Sequence, residues 1–146
     1  MTFERKVKKQ LGELLVEKKL ITPGQLAEAL AVQAKEGGLL GGVLVKLGYA
    51  AEEAITQAIT VQYGIPYLPL SNYAVDPAVA KQIPEAFARE QCLIAIDQIR
   101  NILTIAMANP LNDQAVEDVQ TQTKCNVQVF VSTMTDILAA IDKSYK

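Results

Sequence analysis

A stretch of 24 residues recurs in this chain at an offset of 29. Residues 10–33 align without a gap on 39–62, which places Leu11-Gly12 on Leu40-Gly41 and Leu15-Val16 on Leu44-Val45. Leu26 falls on Ile55, Leu30 on Ile59, and Val32-Gln33 on Val61-Gln62. Apolar matches alone arise between any two amphipathic helices. A glycine near one end and a glutamine at the other, in both copies, do not, and they mark a duplication. Two copies of one small unit must share a core, because neither can bury its apolar face alone.

Within each copy the periodicity is helical. Leu11, Leu14 and Leu15 follow the i, i+3, i+4 spacing of one buried stripe. Thr22-Pro23-Gly24-Gln25 restarts the chain: Thr22 caps the next helix, Pro23 suits its first position, and Gln25 completes a capping box. That helix places Leu26, Leu30 and Gln33 on one face and ends at Gly37-Gly38. A third helix over about 39–47 stops at Gly48, and a fourth, carrying Ile55, Ile59 and Gln62 on one face, closes at Gly64-Ile65-Pro66.

Beyond residue 64 the pattern changes. Segment 65–84 holds four of the six prolines and reads as an extended linker with one helical turn near 77–82. After it the expected order is helix-β-β-helix-β-helix. Leu93–Ile96 and Ile102–Met107 are β-like runs around a turn at 97–101. Asn112 or Asp113 caps a helix to about Thr121, and Val127–Val131 forms the third strand. Ser132 or Thr133 then caps a last helix that turns Ile137, Leu138 and Ile141 inward. The expected fold is α+β. An N-terminal lobe of four short helices (1–64, tandem hairpins) is joined by a linker (65–84) to a small C-terminal α/β lobe (85–146) with about three strands.

Composition narrows the chemistry. Of 146 residues 50% are hydrophobic and 21% charged, which suits a folded globular chain. No apolar run approaches the roughly 20 residues a membrane span needs, and no secretory signal opens the chain, so the expectation is a cytoplasmic protein that does not span a membrane. There is no histidine, which removes Ser-His-Asp triads, Cys-His pairs and most zinc sites. Cys92 and Cys125 form no C-x-x-C motif and read as small buried hydrophobes. The net charge of −2 and the absence of a basic recognition helix argue against DNA, and Arg5, Lys6, Lys8 and Lys9 read as a solvated first helical turn. Glu52-Glu53 and Asp113, Glu117, Asp118 are carboxylates of solvated helix faces or helix starts rather than catalytic pairs.

The repeated Gly and Gln admit two readings. A glycine inside a helix costs roughly 1 kcal/mol against alanine, so Gly12 and Gly41 serve either close helix packing or the approach of a flat ligand. Gln33 and Gln62 either satisfy backbone groups or read a base edge or phosphate.

The residues of this repeat resemble the MshEN-type N-terminal domain of bacterial type II secretion and type IV pilus assembly ATPases. The resemblance runs from Leu11-Gly12, Leu15-Val16, Leu20-Ile21, Leu26, Leu30 and Gln33 through the second copy. It continues in Tyr63-Gly64-Ile65-Pro66-Tyr67 and in the segment Leu103–Leu111, and covers about residues 8–145. Some members bind cyclic di-GMP through the tandem motifs. The resemblance therefore implies candidate ligand-binding positions Leu11, Gly12, Leu15, Leu26, Leu30 and Gln33, with Leu40, Gly41, Leu44, Ile55, Ile59 and Gln62 in the second copy. The family's motif opens with an Arg before Leu-Gly, and this chain has Gln10 and Leu39 there. Neither reproduces the charged planar fork of a guanidinium. The first copy also carries Lys19 where the second has Gly48.

The ATPase activity of the family is not implied, because no G-x-x-x-x-G-K-[ST] loop is present. The expected function is a non-catalytic regulatory and docking domain that binds a protein component of a secretion or pilus machine, with no cofactor. The alternative is a cyclic di-GMP receptor weakened by Gln10 and Leu39.

Overall fold

A computed structural model describes residues 11–145; Gln10 and the basic cluster Arg5, Lys6, Lys8 and Lys9 lie outside the described residues. The first half forms α1 (Leu11–Glu17), α2 (Pro23–Glu36), α3 (Leu40–Lys46) and α4 (Glu52–Tyr63). The turns inside the two hairpins are the same turn. Leu20 N–H donates to the Leu15 carbonyl and Lys19 N–H to that of Val16, at 2.9 and 3.0 Å; Tyr49 to Leu44 and Gly48 to Val45 repeat both bonds at the same distances. The turn needs a left-handed residue, with φ of 61° at Lys19 and 79° at Gly48. Glycine takes it freely, whereas Lys19 bears about 1 kcal/mol of Cβ strain.

Helix starts differ between the copies. Thr22 and Gln25 form the reciprocal capping box, at 3.1 and 2.9 Å, and Pro23 opens α2. Ala51, at the corresponding place before α4, has no capping side chain. The four helices pack through fully buried Leu14, Leu15, Leu44 and Ile59, and Val131 from the second half joins this core.

The second half forms a 3-10 turn (Leu70–Asn72), α5 (Pro77–Ala80), α6 (Glu85–Gln91), β1 (Leu93–Ile99), β2 (Ile102–Met107), α7 (Asp113–Thr123), β3 (Asn126–Val131) and α8 (Met134–Ser144). β1 and β2 are an antiparallel hairpin, and α7 carries the chain across so that β3 runs parallel to β2. β1 continues three residues past the expected Ile96, because Gln98 and Ile99 pair with Leu103 and Ile102 after a bulge between Ala95 and Asp97. The reversal narrows to Arg100-Asn101, with Arg100 left-handed at φ 57°. Asn112 caps α7 and Thr133 caps α8. Leu138, expected inward, is 40% exposed, since the buried stripe of α8 runs through Ile137, Ala140, Ile141 and Ser144.

Segment 65–84 is folded onto the second core. Leu70, Ala80 and Ile83 are buried in it. Asp76 and Pro77 start α5, the Asp76 carboxylate accepting from Ala78 N–H at 3.0 Å. Residues 66–68 also pair alongside β3: Val131 N–H donates to the Pro66 carbonyl and Leu68 N–H to that of Val131, both at 2.9 Å. The prolines set dihedral angles here rather than keeping the chain away from the core.

The Tyr145 hydroxyl lies 2.7 Å from the carbonyl oxygens of both Ala80 and Ile83, tying the end of α8 to this segment. Burial, with a contribution from Glu85, pushes its pKa up to about 12. A raised phenol pKa means that the folded state favours the protonated form. Its contribution to stability is full below about pH 10 and is lost as pH rises through about 12. Tyr145→Phe is expected to lower stability by about 1 kcal/mol at neutral pH and to flatten the alkaline loss in urea melts recorded across that range. In the helical lobe, Leu15→Ala or Leu44→Ala should each cost about 2–5 kcal/mol. Leu30→Ala, at a position 46% exposed, should stay within about 0.5 kcal/mol. Equal losses at all three positions would overturn this assignment of the buried faces.

Candidate functional site

The two halves meet at a cleft lined by Leu11, Leu39, Gly41, Glu52 and Ile55 on the helical side and by Asn109, Ser132 and Met134 opposite. Its internal space is only about 30 Å³, the share of roughly one water molecule. The Ser132 hydroxyl is fully buried against it and has no protein partner. Cys92 is close enough for the Glu52 charge to act on it; burial first, then Glu52, pushes that thiol up to about 12. A thiol held protonated in this way is a packing group rather than a nucleophile.

The repeat's candidate residues divide by environment. Leu11, Gly41 and Ile55 face the cleft together. Leu15, Leu44 and Ile59 are fully buried in the helical core. Gly12 is buried against Leu26 and Leu40: a Cβ there would stand 2.6 Å from Leu26 Cδ1 and 3.2 Å from Leu40 Cδ2. Gly41 has more room, its nearest neighbour being Leu11 Cδ2 at 3.7 Å. Leu30 and Gln62 are exposed. Gln33 is tied back locally, its Nε2 donating to the Gly38 carbonyl at 2.9 Å. The two glutamines of the repeat therefore have different surroundings.

Several further residues contribute to this junction. Leu39 packs against the core of the second lobe. Gly42 lies under Met134, and Glu52 accepts from Thr135 N–H at 3.0 Å and from its hydroxyl at 2.8 Å. Leu39 and Glu52 are visible in the sequence, the one as a departure from the family's Arg and the other as a helix-start carboxylate; the sequence reading misses Gly42, though it is the second glycine of a pair that the first copy lacks. A groove of about 470 Å³ also opens between the end of α2 and α3, over Val32, Gly38, Leu39 and Val43. Its Lys46 stands 3.9 Å from Glu36, so the cation there is already partnered. Among the described residues no group of three or more acidic or cysteine side chains could hold a metal ion, and no helix is long and apolar enough to cross a membrane.

Known proteins resemble this chain both in sequence and in architecture. The chain is 34% identical over 136 residues to the type IV pilus assembly ATPase PilB of Myxococcus xanthus, covering 93% of this chain and 24% of that protein. It is 32% identical over 139 residues to PilB of Thermus thermophilus, covering 94% of this chain and 16% of that protein. The chain thus spans a quarter or less of these relatives. A structure of MshE with cdg (cyclic di-GMP) superposes with a TM-score of 0.69 at 29% identity, covering 94% of this chain and all of that one. The N-terminal domain of XpsE shares the fold, with a TM-score of 0.76 at 18% identity, covering 97% of this chain and 98% of that one. The MshEN domain model matches residues 63–146, more than half of the chain, and this protein belongs to the MshEN domain family.

Proposed function

We propose that this chain is a non-catalytic regulatory and docking domain that acts in the cytoplasm on behalf of a pilus or secretion motor. In this reading its helical lobe engages a protein component of the machine. The observation that carries the reading is the environment of Leu39. The family's motif offers a guanidinium at that position; here an apolar side chain packs instead on the core of the second lobe. Two charged hydrogen-bonding groups at roughly 1.5–3 kcal/mol each are thereby missing from a ligand site, enough to weaken binding by several orders of magnitude. The size of the cleft points the same way. Small-molecule sites run to about 300–1,000 Å³, and this one has about 30 Å³. A dinucleotide would have to part the helices or lie on the outer face of the lobe.

A second reading, a cyclic di-GMP receptor, is favoured by the likeness to MshE solved with that ligand and by the shared placement of Leu11, Gly41 and Ile55. Two similar units suit a ligand of two guanines with approximate two-fold symmetry. Leucine side chains would cover the purine faces, and the exposed Gln62 would supply a donor and an acceptor.

Isothermal titration with cyclic di-GMP separates the readings. The native chain is expected to give no binding in the micromolar range, and the double variant Gln10→Arg, Leu39→Arg to gain it. Micromolar or tighter binding by the native chain would replace the docking reading with the receptor. The glutamines supply a second comparison. Gln33→Ala should lower stability by about 1 kcal/mol by untying Gly38. Gln62→Ala should change it by less than about 0.5 kcal/mol. A loss of ligand or partner binding in the latter variant would therefore report recognition and not folding.

A further inference from the structure

Each hairpin sends the residues of its turn onto the longer helix of the other, but only one of these two contacts is filled. After its turn the second copy presents Tyr49, whose hydroxyl reaches across to α2 and donates to the Glu28 carboxylate. Leu47 and Tyr49 are both half-buried against the helical core. The offset of 29 relates Leu47 and Tyr49 to Lys18 and Leu20, and Glu28, Ala29 and Val32 of α2 to Gln57, Ala58 and Val61 of α4. These first-copy counterparts do come together: Lys18, Leu20, Ala54, Gln57, Ala58 and Val61 line one hollow of about 240 Å³. Where the second copy supplies a leucine and a phenol ring, the first supplies an exposed lysine and a shorter side chain. The outer face of α4 therefore stays uncovered, with Val61 69% exposed while its counterpart Val32 is half-buried. The charges change as well. A neutral amide, Gln57, stands in place of the Glu28 carboxylate, and Lys18 adds a cation at the rim that forms no ion pair among the described residues.

We propose that this hollow is a docking pocket for an aromatic side chain of a protein partner, a tyrosine with a carboxylate beside it in its own chain. The molecule itself shows what such a surface takes, because the related surface on α2 is met by Tyr49. A tyrosine ring buries about 150–250 Å²; here it would lie over Leu20, Ala58 and Val61. Gln57 would meet its hydroxyl, as Glu28 meets that of Tyr49, and Lys18 would meet the neighbouring carboxylate. An aromatic anchor seated in an apolar pocket with a polar rim is the usual form of a binding hot spot. This inference rests on the docking reading for the existence of a protein partner and adds to it the contact surface and the partner's chemistry. None of the tandem-motif positions lines the hollow, so it is separate from any nucleotide site built on them.

Titration of the full chain with N-acetyl-tyrosyl-aspartate amide, followed by amide NMR, tests it. Shifts should concentrate at Leu20, Gln57, Ala58 and Val61 and saturate with a Kd of about a millimolar, the strength of one ring in one pocket. The same probe with alanine in place of tyrosine should give none. Lys18→Glu should weaken the aspartate probe by about fivefold and leave N-acetyl-tyrosine amide unaffected. The double variant Leu20→Tyr, Gln57→Glu rebuilds in the first copy the pair found in the second, and by filling the pocket should weaken the probe at least about tenfold. Should that variant lose helical signal in circular dichroism, Val61→Ser, at an exposed position, removes one apolar wall and should weaken the probe by about fivefold. Absence of shifts at these residues, or native affinity in a folded variant with the pocket filled, overturns the proposal. Such a failure leaves the docking reading to another surface of the lobe. Micromolar binding of cyclic di-GMP by the native chain would instead remove the docking reading without altering this titration.

Discussion

A helix of seven residues cannot hold itself together in water; α3 is that short, and so is the described part of α1. α1 and α3 persist because each folds back through a left-handed residue onto a longer partner, and because the two hairpins then close their leucine stripes against one another. Leu15 and Leu44, related by the repeat, are fully buried in that shared interior. Everything else in the lobe follows from this mutual burial. It sets Gly12 beneath Leu26 and Leu40, and it turns Leu11, Gly41 and Ile55 toward the C-terminal lobe.

The same constraint bears on how the tandem motif is to be read. Much of the family's tandem motif serves the packing of two short helices. That hydrophobic pattern is retained in this chain while the charged positions at its edge have changed. Leu39, at the place where the resemblance implies an arginine, is part of the contact between lobes. Retention of the motif's apolar residues is therefore weak evidence of ligand binding. The polar edge, Gln62 above all, is where the chemistry of recognition can be tested apart from stability.

What is legible in the sequence is local. The capping box at Thr22 and Gln25, the turn shared by Lys19 and Gly48, the strand at 102–107 and the caps of α7 and α8 each depend on residues within one turn of each other. The junction is not legible, because Glu52 and Thr135 are 83 residues apart and each looks ordinary among its neighbours. Prolines mislead in 65–84. They read as marks of an extended linker, yet Leu70 and Ile83 between them supply buried side chains to the second core. Leu138 misleads for the opposite reason: it is apolar and sits beside the buried stripe of α8, not on it. Among the site candidates, periodicity places Leu30 and Gln62 on faces with buried neighbours, yet both are exposed.

Val131 ends the last strand of the C-terminal sheet and is fully buried, yet it belongs to the core of the helical lobe. Its amide and carbonyl hold the chain that leaves α4, through Pro66 and Leu68. Residues 11–64 thus lack one wall of their own interior until residue 131 has been made and placed. The interior of the helical lobe is closed by the end of a strand that belongs to the other lobe's sheet, so the two lobes share a wall rather than merely touch.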